Sequence, residues 1–539
     1  MLRHIVMFSF LLTTCYAQDT SRMDQVVQYY VSSGQFMGSV LVARDKEILL
    51  SKGYGSANLE WNIPNTSLTK FRLGSITKQF TAASILLLEE RGKLKVEDPI
   101  KKYLPDAPAA WDKMTVFHVL THTAGIPSYT NSPEYPKLEP FPITPAQIVA
   151  LFRDKPLDFT PGERMQYSNS GYVLLGYLIE KISGIRYQDF LQNNIFTPLG
   201  MQDTGYDSNS TVILRRAAGY ARGSKSLENA GFVHMSVPFS AGGLYSTTED
   251  LLRWESALFN GKLLSAESLK KMTTPYKDNY AFGLTVRTVN GRKVIEHGGG
   301  IEGFNTYLSY FPESKVTVAV LGNVNGSAPE QIGYSLSALA YGDAVVLPSE
   351  RKEVTVLPNV LERYVGTYQL APRVNMMITV EGNQLMAQVS GQSKAPLAAS
   401  SDVRFFYKAA DAEIEFTKDE KDTVVGLILH QGGGQDIKAP RTSDKVPVHK
   451  EITVSPKILE QYVGTYEIRP GFDLTITLEG NQLMTQATGQ AKFPLFAESE
   501  TKFFLKVVDA ETEFIKDDKG IVTYLIHRQG PSEIKAPKK

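Results

Sequence analysis

Ser75 and Lys78 stand three residues apart in the stretch Phe71-Arg-Leu-Gly-Ser75-Ile-Thr-Lys78-Gln-Phe80. On a helix that spacing places both side chains on one face and within reach of each other. Apolar residues at Ile76, Phe80, Ala83 and Leu87 follow helical spacing, and Gly92 after Arg91 reads as the stop. A helix N-terminus presents unpaired N–H groups and a positive dipole end. Those surroundings favour a serine nucleophile and the oxyanion its reaction generates. A lysine whose pKa is lowered by burial or by a second cation can hold or relay the serine proton. The spacing alone is weak, because it recurs at Ser67/Lys70, Ser268/Lys271, Ser349/Lys352, Ser499/Lys502 and Ser532/Lys535. Taken singly, Ser75 reads as well as a helix N-cap.

Tyr167-x-Asn169 is a second candidate. A tyrosine between two cations loses its proton more readily and can act as a base, and an asparagine amide can orient a carbonyl. Tyr129-Thr-Asn131 has the same spacing, but only Tyr167 lies between a Pro161-Gly162 turn and an apolar helix that starts near Tyr172. His297-Gly-Gly-Gly300 is the third, since its glycines let backbone N–H groups approach a ligand. A loop tyrosine with a capping asparagine, and a flexible turn with a surface histidine, are the structural alternatives. His118 and His122 are four apart and could bind zinc from one helix face. No Glu adjoins either and no third ligand is evident, so a structural role is favoured for both.

The elements that must position these residues follow in order. A short amphipathic helix is expected over Met23–Val31, then a hairpin from Val40–Ala43 and Ile48–Leu50, then the Ser75 helix. Further helices are expected at Tyr172–Ile182, past Asp189 to Phe196, and near Leu251–Leu258. Strand-like runs come at Tyr280–Val289, Arg292–Glu296, Thr306–Phe311 and Val316–Leu321, before a last helix at Pro329–Ala340. Strands, then helices, then strands predict an α/β (α+β) domain whose mainly antiparallel sheet is built from both ends of the segment. Beyond Val346 short alternating segments with glycine turns predict all-β structure. Tyr364-Val-Gly-Thr-Tyr368 recurs as Tyr462-Val-Gly-Thr-Tyr466, Glu381-Gly-Asn-Gln-Leu385 as Glu479-Gly-Asn-Gln-Leu483, and Ile437-Lys-Ala-Pro440 as Ile534-Lys-Ala-Pro537. Two copies of one small β domain, joined by the polar link Thr442–Glu451, account for this, and such units can close into barrels.

With 539 residues the chain exceeds a single core. Lys+Arg and Asp+Glu are both 57, a balance that argues against a general nucleic-acid binder. Arg3-His4, the apolar run Ile5–Leu12 and Cys15-Tyr-Ala17 read as a signal peptide over residues 1–17, giving a periplasmic or secreted protein with no transmembrane anchor. Thr13-Thr14 is a poor match to a lipoprotein signal. Cys15 is the sole cysteine, so cleavage after Ala17 removes any basis for disulfides or thiolate metal sites. The expected divisions are 18–346 for the hydrolase-like domain, 354–442 for the first β repeat and 452–539 for the second.

The ordered set Ser75-x-x-Lys78, Tyr167-x-Asn169 and His297-x-Gly299 resembles the serine β-lactamase and penicillin-binding-protein superfamily. It looks most like the branch of class C β-lactamases, family VIII carboxylesterases and D-aminopeptidases. In that branch many members carry His-x-Gly where class C β-lactamases carry Lys-Thr-Gly. The flanks His118-Val-Leu-Thr-His-Thr-Ala-Gly-Ile126, Pro161-Gly162 and Ala241-Gly-Gly-Leu244 are also similar. The resemblance, over roughly residues 24–345, implies Ser75 as the nucleophile of an acyl-enzyme, with Lys78 and Tyr167 sharing the general-base work. Asn169, His297 and Gly299 would bind substrate, and the backbone N–H groups of Ser75 and Gly300 would form the oxyanion hole. No metal or organic cofactor is implied. The repeats are similar to lipocalin-like barrels behind some peptidases of the branch. A secreted serine hydrolase acting on small esters or short, D-residue-containing peptides is expected, with weak or absent β-lactamase activity and possible homo-oligomers. The alternative is a catalytically silent binding or sensor protein on the same scaffold.

Overall fold

The computed structural model describes residues 20–223, 226–289, 291–408, 412–431, 436–469 and 471–539. The signal peptide read at residues 1–17 lies outside them. The chain forms two units, one ending at Val345 and the other running from Val346 to Lys539.

The first unit is organised on a six-stranded antiparallel sheet. Its strands are β1 (Gly38–Arg44), β2 (Glu47–Tyr54), β3 (Thr285–Val289), β4 (Arg292–Ile301), β5 (Phe304–Phe311) and β6 (Val316–Gly322), in the order β3-β4-β5-β6-β1-β2. Both ends of the segment thus meet at the β6–β1 pair, where Val40 faces Val320 and Leu41 faces Ala319. β6 is buried along its whole length, and so is β1 up to Ala43. Successive side chains point to opposite faces, so two buried faces require the near-continuous apolar runs both strands carry. Leu41, Ala43, Ala319 and Leu321 join the main core. Helices α1 (Thr20–Ser32) and α6 (Ala328–Tyr341) pack on the sheet, and α5 (Thr248–Phe259) packs against β6 and β1.

Helix α2 (Thr77–Glu90) is buried at every residue from Thr77 to Leu88. Burying Phe80, Ile85 and Leu86 contributes about 1.5–3 kcal/mol each. Its polar residues find partners inside: Thr81 with the Tyr187 hydroxyl at 2.6 Å, and Gln79 with the Trp254 indole N–H at 2.9 Å. α2 packs against α4 (Asn169–Ser183), while α3 (Val116–Leu120) is a single capped turn beside α4.

Two strand expectations change. The run from Tyr280 becomes a strand only at Thr285, because Gly283 takes a left-handed φ of +69°. A Cβ there would lie 2.6 Å from the Lys78 carbonyl, so the backbone turns where it meets α2. Conversely, the glycine run at 298–300 is not a loose turn but the end of β4. Gly299 admits the Leu73 carbonyl to 1.9 Å of where a Cβ would sit, a close backbone approach that only glycine allows.

The second unit holds two all-β bodies. The first is a closed barrel of eight antiparallel strands from Gly366–Ala371 to Ile437–Ser443. The second is an eight-stranded sheet from Gly464–Arg469 to Ser532–Pro537, drawn toward closure by a bridge between Tyr466 and Lys538. The repeat persists in atomic detail. Tyr364 stacks on Phe416 at 4.0 Å and Tyr462 on Phe514 at 4.2 Å. Tyr368 and Tyr466 each donate their hydroxyl to the carbonyl of the tyrosine four residues before, at 2.8 Å.

Candidate active site

Ser75 sits in a 3-10 turn, Gly74–Ile76, that runs straight into α2. Gly74 makes the turn possible: its φ is +55°, and a Cβ would stand 2.7 Å from the Gly300 nitrogen. The nucleophile candidate and the end of β4 are thereby held together. Thr306 fixes the same junction by donating to the Leu73 carbonyl at 2.8 Å.

Lys78, fully buried, points its amine at three oxygens: Ser75 Oγ at 3.0 Å, Asn169 Oδ1 at 2.9 Å and the Ala241 carbonyl at 2.8 Å. Burial holds its ammonium well below the usual lysine range. A neutral amine fits these partners, with two N–H groups for Asn169 and Ala241 and a lone pair for the Ser75 hydroxyl. Asn169, the first residue of α4, is itself braced. Its Nδ2 donates to Thr130 Oγ1 at 3.1 Å and its backbone N–H to Ser128 Oγ at 3.1 Å. The second Tyr-x-Asn string, Tyr129-Thr-Asn131, therefore flanks the site as support, with the Tyr129 hydroxyl tied to the Val237 carbonyl at 2.6 Å.

Tyr167 keeps 37% of its surface exposed, while its hydroxyl end lies against Ser75. Burial raises its pKa above the phenol range, and the neighbouring Ser75 acts in the opposite direction. The Lys78 amine lies 4.8 Å from the centre of its ring.

His297 is buried on β4. Its Nδ1 lies 2.6 Å from the Gly298 carbonyl, which can only accept, so Nδ1 carries the proton and Nε2 accepts from the Tyr280 hydroxyl at 3.1 Å. Its pKa is pushed down to about 4, by burial first and then by the nearby Lys78, while the Gly298 carbonyl acts in the opposite direction. The imidazole is neutral. β3 pairs with β4 only as far as Glu296, so beyond it that edge of β4 has no strand beside it. The pair Ile301–Phe304 closes a two-residue turn, and hydrogen-bonded pairs alternate along an antiparallel ladder. Gly298 and Gly300 then turn their N–H and C=O groups away from β5, toward the open edge beside Ser75.

The structure brings Ser75, Lys78, Tyr167, Asn169, His297, Gly299 and Gly300 to one place. Sequence reasoning missed the Ala241 carbonyl, Thr130 and Tyr280. The first lay within a quoted flank, but nothing in residue type announces which carbonyl will receive an amine. His118 and His122 do not form a pair of ligands. His118 Nδ1 closes a capping box with Thr115, and His122 Nδ1 accepts the Ser168 N–H at 3.2 Å. Among the described residues one group of three metal-type ligands occurs, His449, Glu498 and Glu511 in the second β repeat. There the Lys502 ammonium already bridges both carboxylates at 3.0 Å.

Residues 23–341 match the family described as Beta-lactamase, and residues 350–441 and 448–535 each match a domain of unknown function, DUF3471. Penicillin-binding protein 4* of Bacillus subtilis (strain 168) is 30% identical over 440 residues, covering 76% of this chain and 95% of that protein. Among solved structures, the octameric penicillin-binding protein homologue from Pyrococcus abyssi is similar, with a TM-score of 0.57 and 26% identity, over 78% of this chain and 100% of that one. A D-stereospecific amidohydrolase from Streptomyces sp. is similar with a TM-score of 0.52 and 27% identity, over 60% of this chain and 100% of that one.

Proposed function

This chain belongs to the beta-lactamase family of serine hydrolases, and from that premise we propose that it forms an acyl-enzyme on Ser75 and cleaves an ester or amide bond. The observation that carries the reading is the Lys78 amine, depressed in pKa and 3.0 Å from Ser75 Oγ. In the proposed reaction Lys78 takes the serine proton as Oγ bonds to the acyl carbon. The Ser75 and Gly300 N–H groups receive the oxyanion. The proton taken by Lys78 goes on, by way of Tyr167 against Ser75, to the departing alcohol or amine. Water then attacks the acyl carbon, its proton returns along the same path to Ser75 Oγ as that oxygen leaves, and the acid is released.

The neutral His297 supports small uncharged esters, or short peptides with D-residues, over anionic β-lactams, since it offers no fixed cation to a carboxylate. The D-stereospecific relative supports the peptide half of that reading. Export through a signal at residues 1–17 is part of the proposal. Among the described residues no helix is long and apolar enough to cross a membrane.

The test is covalent labelling of the full chain with a fluorophosphonate. The label is then mapped to its residue and paired with a screen of p-nitrophenyl esters, D- and L-aminoacyl anilides and a chromogenic cephalosporin. Label on Ser75, lost in Ser75→Ala together with about 10³–10⁶ in kcat, is the expected result. A folded Ser75→Ala chain that retains hydrolysis would falsify the assignment. A parent chain that takes no label and turns over nothing points instead to a silent binding scaffold.

A further inference from the structure

We propose that His122 is a positioning residue that sets Tyr167 against Ser75, an inference that rests on the acyl-enzyme reading above. His122 follows α3 and adopts a left-handed φ of +56°, uncommon outside glycine. In that conformation it holds both neighbours of Tyr167. Its backbone carbonyl accepts the Gln166 N–H at 2.9 Å, and its ring Nδ1 accepts the Ser168 N–H at 3.2 Å. Between those two bonds the Tyr167 ring lies on the imidazole, with centroids 4.3 Å apart and planes 39° apart. On its other contacts the imidazole meets Tyr280 at 4.6 Å and Tyr172 at 5.0 Å. Tyr280 in turn bonds His297. One residue, by its carbonyl and its ring together, therefore fixes the height, direction and tilt of the phenol.

The imidazole is specific to this task. Ser168 presents a donor, so Nδ1 is unprotonated and the proton is on Nε2. Nε2 is buried and has no hydrogen-bond partner among the described residues. A buried N–H without an acceptor is a cost that a phenylalanine in the same space avoids. What phenylalanine cannot supply is the Nδ1 acceptor. Among the described residues His122 makes no hydrogen bond to Ser75 or Lys78, and beyond the charge interaction between its ring and Lys78 its contacts lead to the chemistry through Tyr167. Misplacing a reacting group by about 1 Å lowers a rate by about 10²-fold.

The experiment compares His122→Ala and His122→Asn in the full-length protein, each with and without Tyr167→Phe. Asparagine tolerates a left-handed backbone, and its Oδ1 stands where Nδ1 stood. The readouts are kcat and KM on a p-nitrophenyl ester and the rate of fluorophosphonate labelling at Ser75, on chains shown folded by thermal melting. His122→Ala is expected to lower kcat by about 10²-fold with little change in KM, and His122→Asn to stay within about tenfold of the parent. With Tyr167→Phe already present, neither change is expected to lower the labelling rate further. Equal losses in both backgrounds, a loss confined to KM, or no rescue by asparagine would overturn the proposal. If the alanine chain does not fold, the asparagine chain decides: its smaller loss must vanish in the Tyr167→Phe background. Failure of the underlying reading looks different, because the parent itself would then carry no label on Ser75.

Discussion

Lys78 and His297 are two buried bases whose neutrality has opposite uses. The Lys78 amine must be free to accept the Ser75 proton, so the rate of acylation should follow its unprotonated fraction. Its pKa lies well below the ordinary lysine value, so kcat/KM should rise with pH through an inflection well below 10.5 and be lost on acidification. A profile that climbs only near pH 10 would show an ordinary, solvated lysine and remove it as the base. His297 titrates near pH 4, so it adds no inflection between about pH 5 and 8, and in that range it offers an anionic substrate no charge. His297→Lys should shift preference from neutral esters toward anionic β-lactams by about tenfold or more in the ratio of kcat/KM values. An unchanged ratio in a folded variant would show that position 297 does not face the substrate carboxylate. These residues were legible because their spacing is local: Ser75 and Lys78 share a helix face, and Tyr167 and Asn169 share a turn. Ala241, Thr130 and Tyr280 were not, because their roles arise only where distant segments meet. Nor was the His122 clamp: a structural role is the favoured reading for that histidine, but nothing local in the sequence says that the structure it holds is the segment around Tyr167.

Strand β4 shows how an element can be misjudged from composition alone. Three successive glycines suggest a turn, yet they finish a strand, because the Leu73–Gly74 backbone has to pass within contact of it. The three positions are not equivalent. At Gly299 a Cβ would stand 1.9 Å from the Leu73 carbonyl and 2.3 Å from Thr306 Oγ1. At Gly298 the nearest atom is the Thr306 carbonyl at 3.7 Å, an ordinary contact. Gly299→Ala should therefore push β4 away from Ser75, lower the melting temperature and abolish labelling, with a stability loss of about 2–4 kcal/mol. Gly298→Ala should fold as well as the parent, or better by about 0.4–1 kcal/mol, through a less flexible unfolded chain. Thermal melts and labelling rates of the two variants give the comparison. If both are equally tolerated, the close approach of the two backbones is not what these glycines serve. The antiparallel sheet built from both ends of the segment was readable in advance, since the apolar runs at Val40–Ala43 and Val316–Leu321 need two covered faces. The start of the Tyr280 segment was not, because Gly283 breaks it for a neighbour in α2 rather than for anything in its own sequence.

At the scale of the molecule the chemistry and the repeats occupy separate units. Every group assembled around Ser75 precedes Val345, and the first unit has a core that draws on its own sheet and helices. Each β repeat likewise encloses its own tyrosine–phenylalanine stack and backbone-tied tyrosines. The Streptomyces amidohydrolase, matched along its entire length, corresponds to only 60% of this chain, so a fold of this kind stands without such repeats. The β units are therefore expected to act on access or assembly, by covering the cleft, limiting substrate size or joining copies of the chain. The Pyrococcus abyssi homologue, similar over 78% of this chain, is an octamer, which makes assembly worth measuring directly. A chain ending at Val345 should fold, take the fluorophosphonate on Ser75 at a rate within about tenfold of the full protein, and either accept bulkier acyl groups or fall to a smaller assembly. Labelling kinetics, a substrate-length series and mass by light scattering on the two chains separate these outcomes. If the shortened chain is folded but takes no label, a repeat must complete the site. If it labels normally with unchanged substrate range and unchanged mass, the repeats serve neither access nor assembly, and their function must lie in binding something other than the substrate of Ser75.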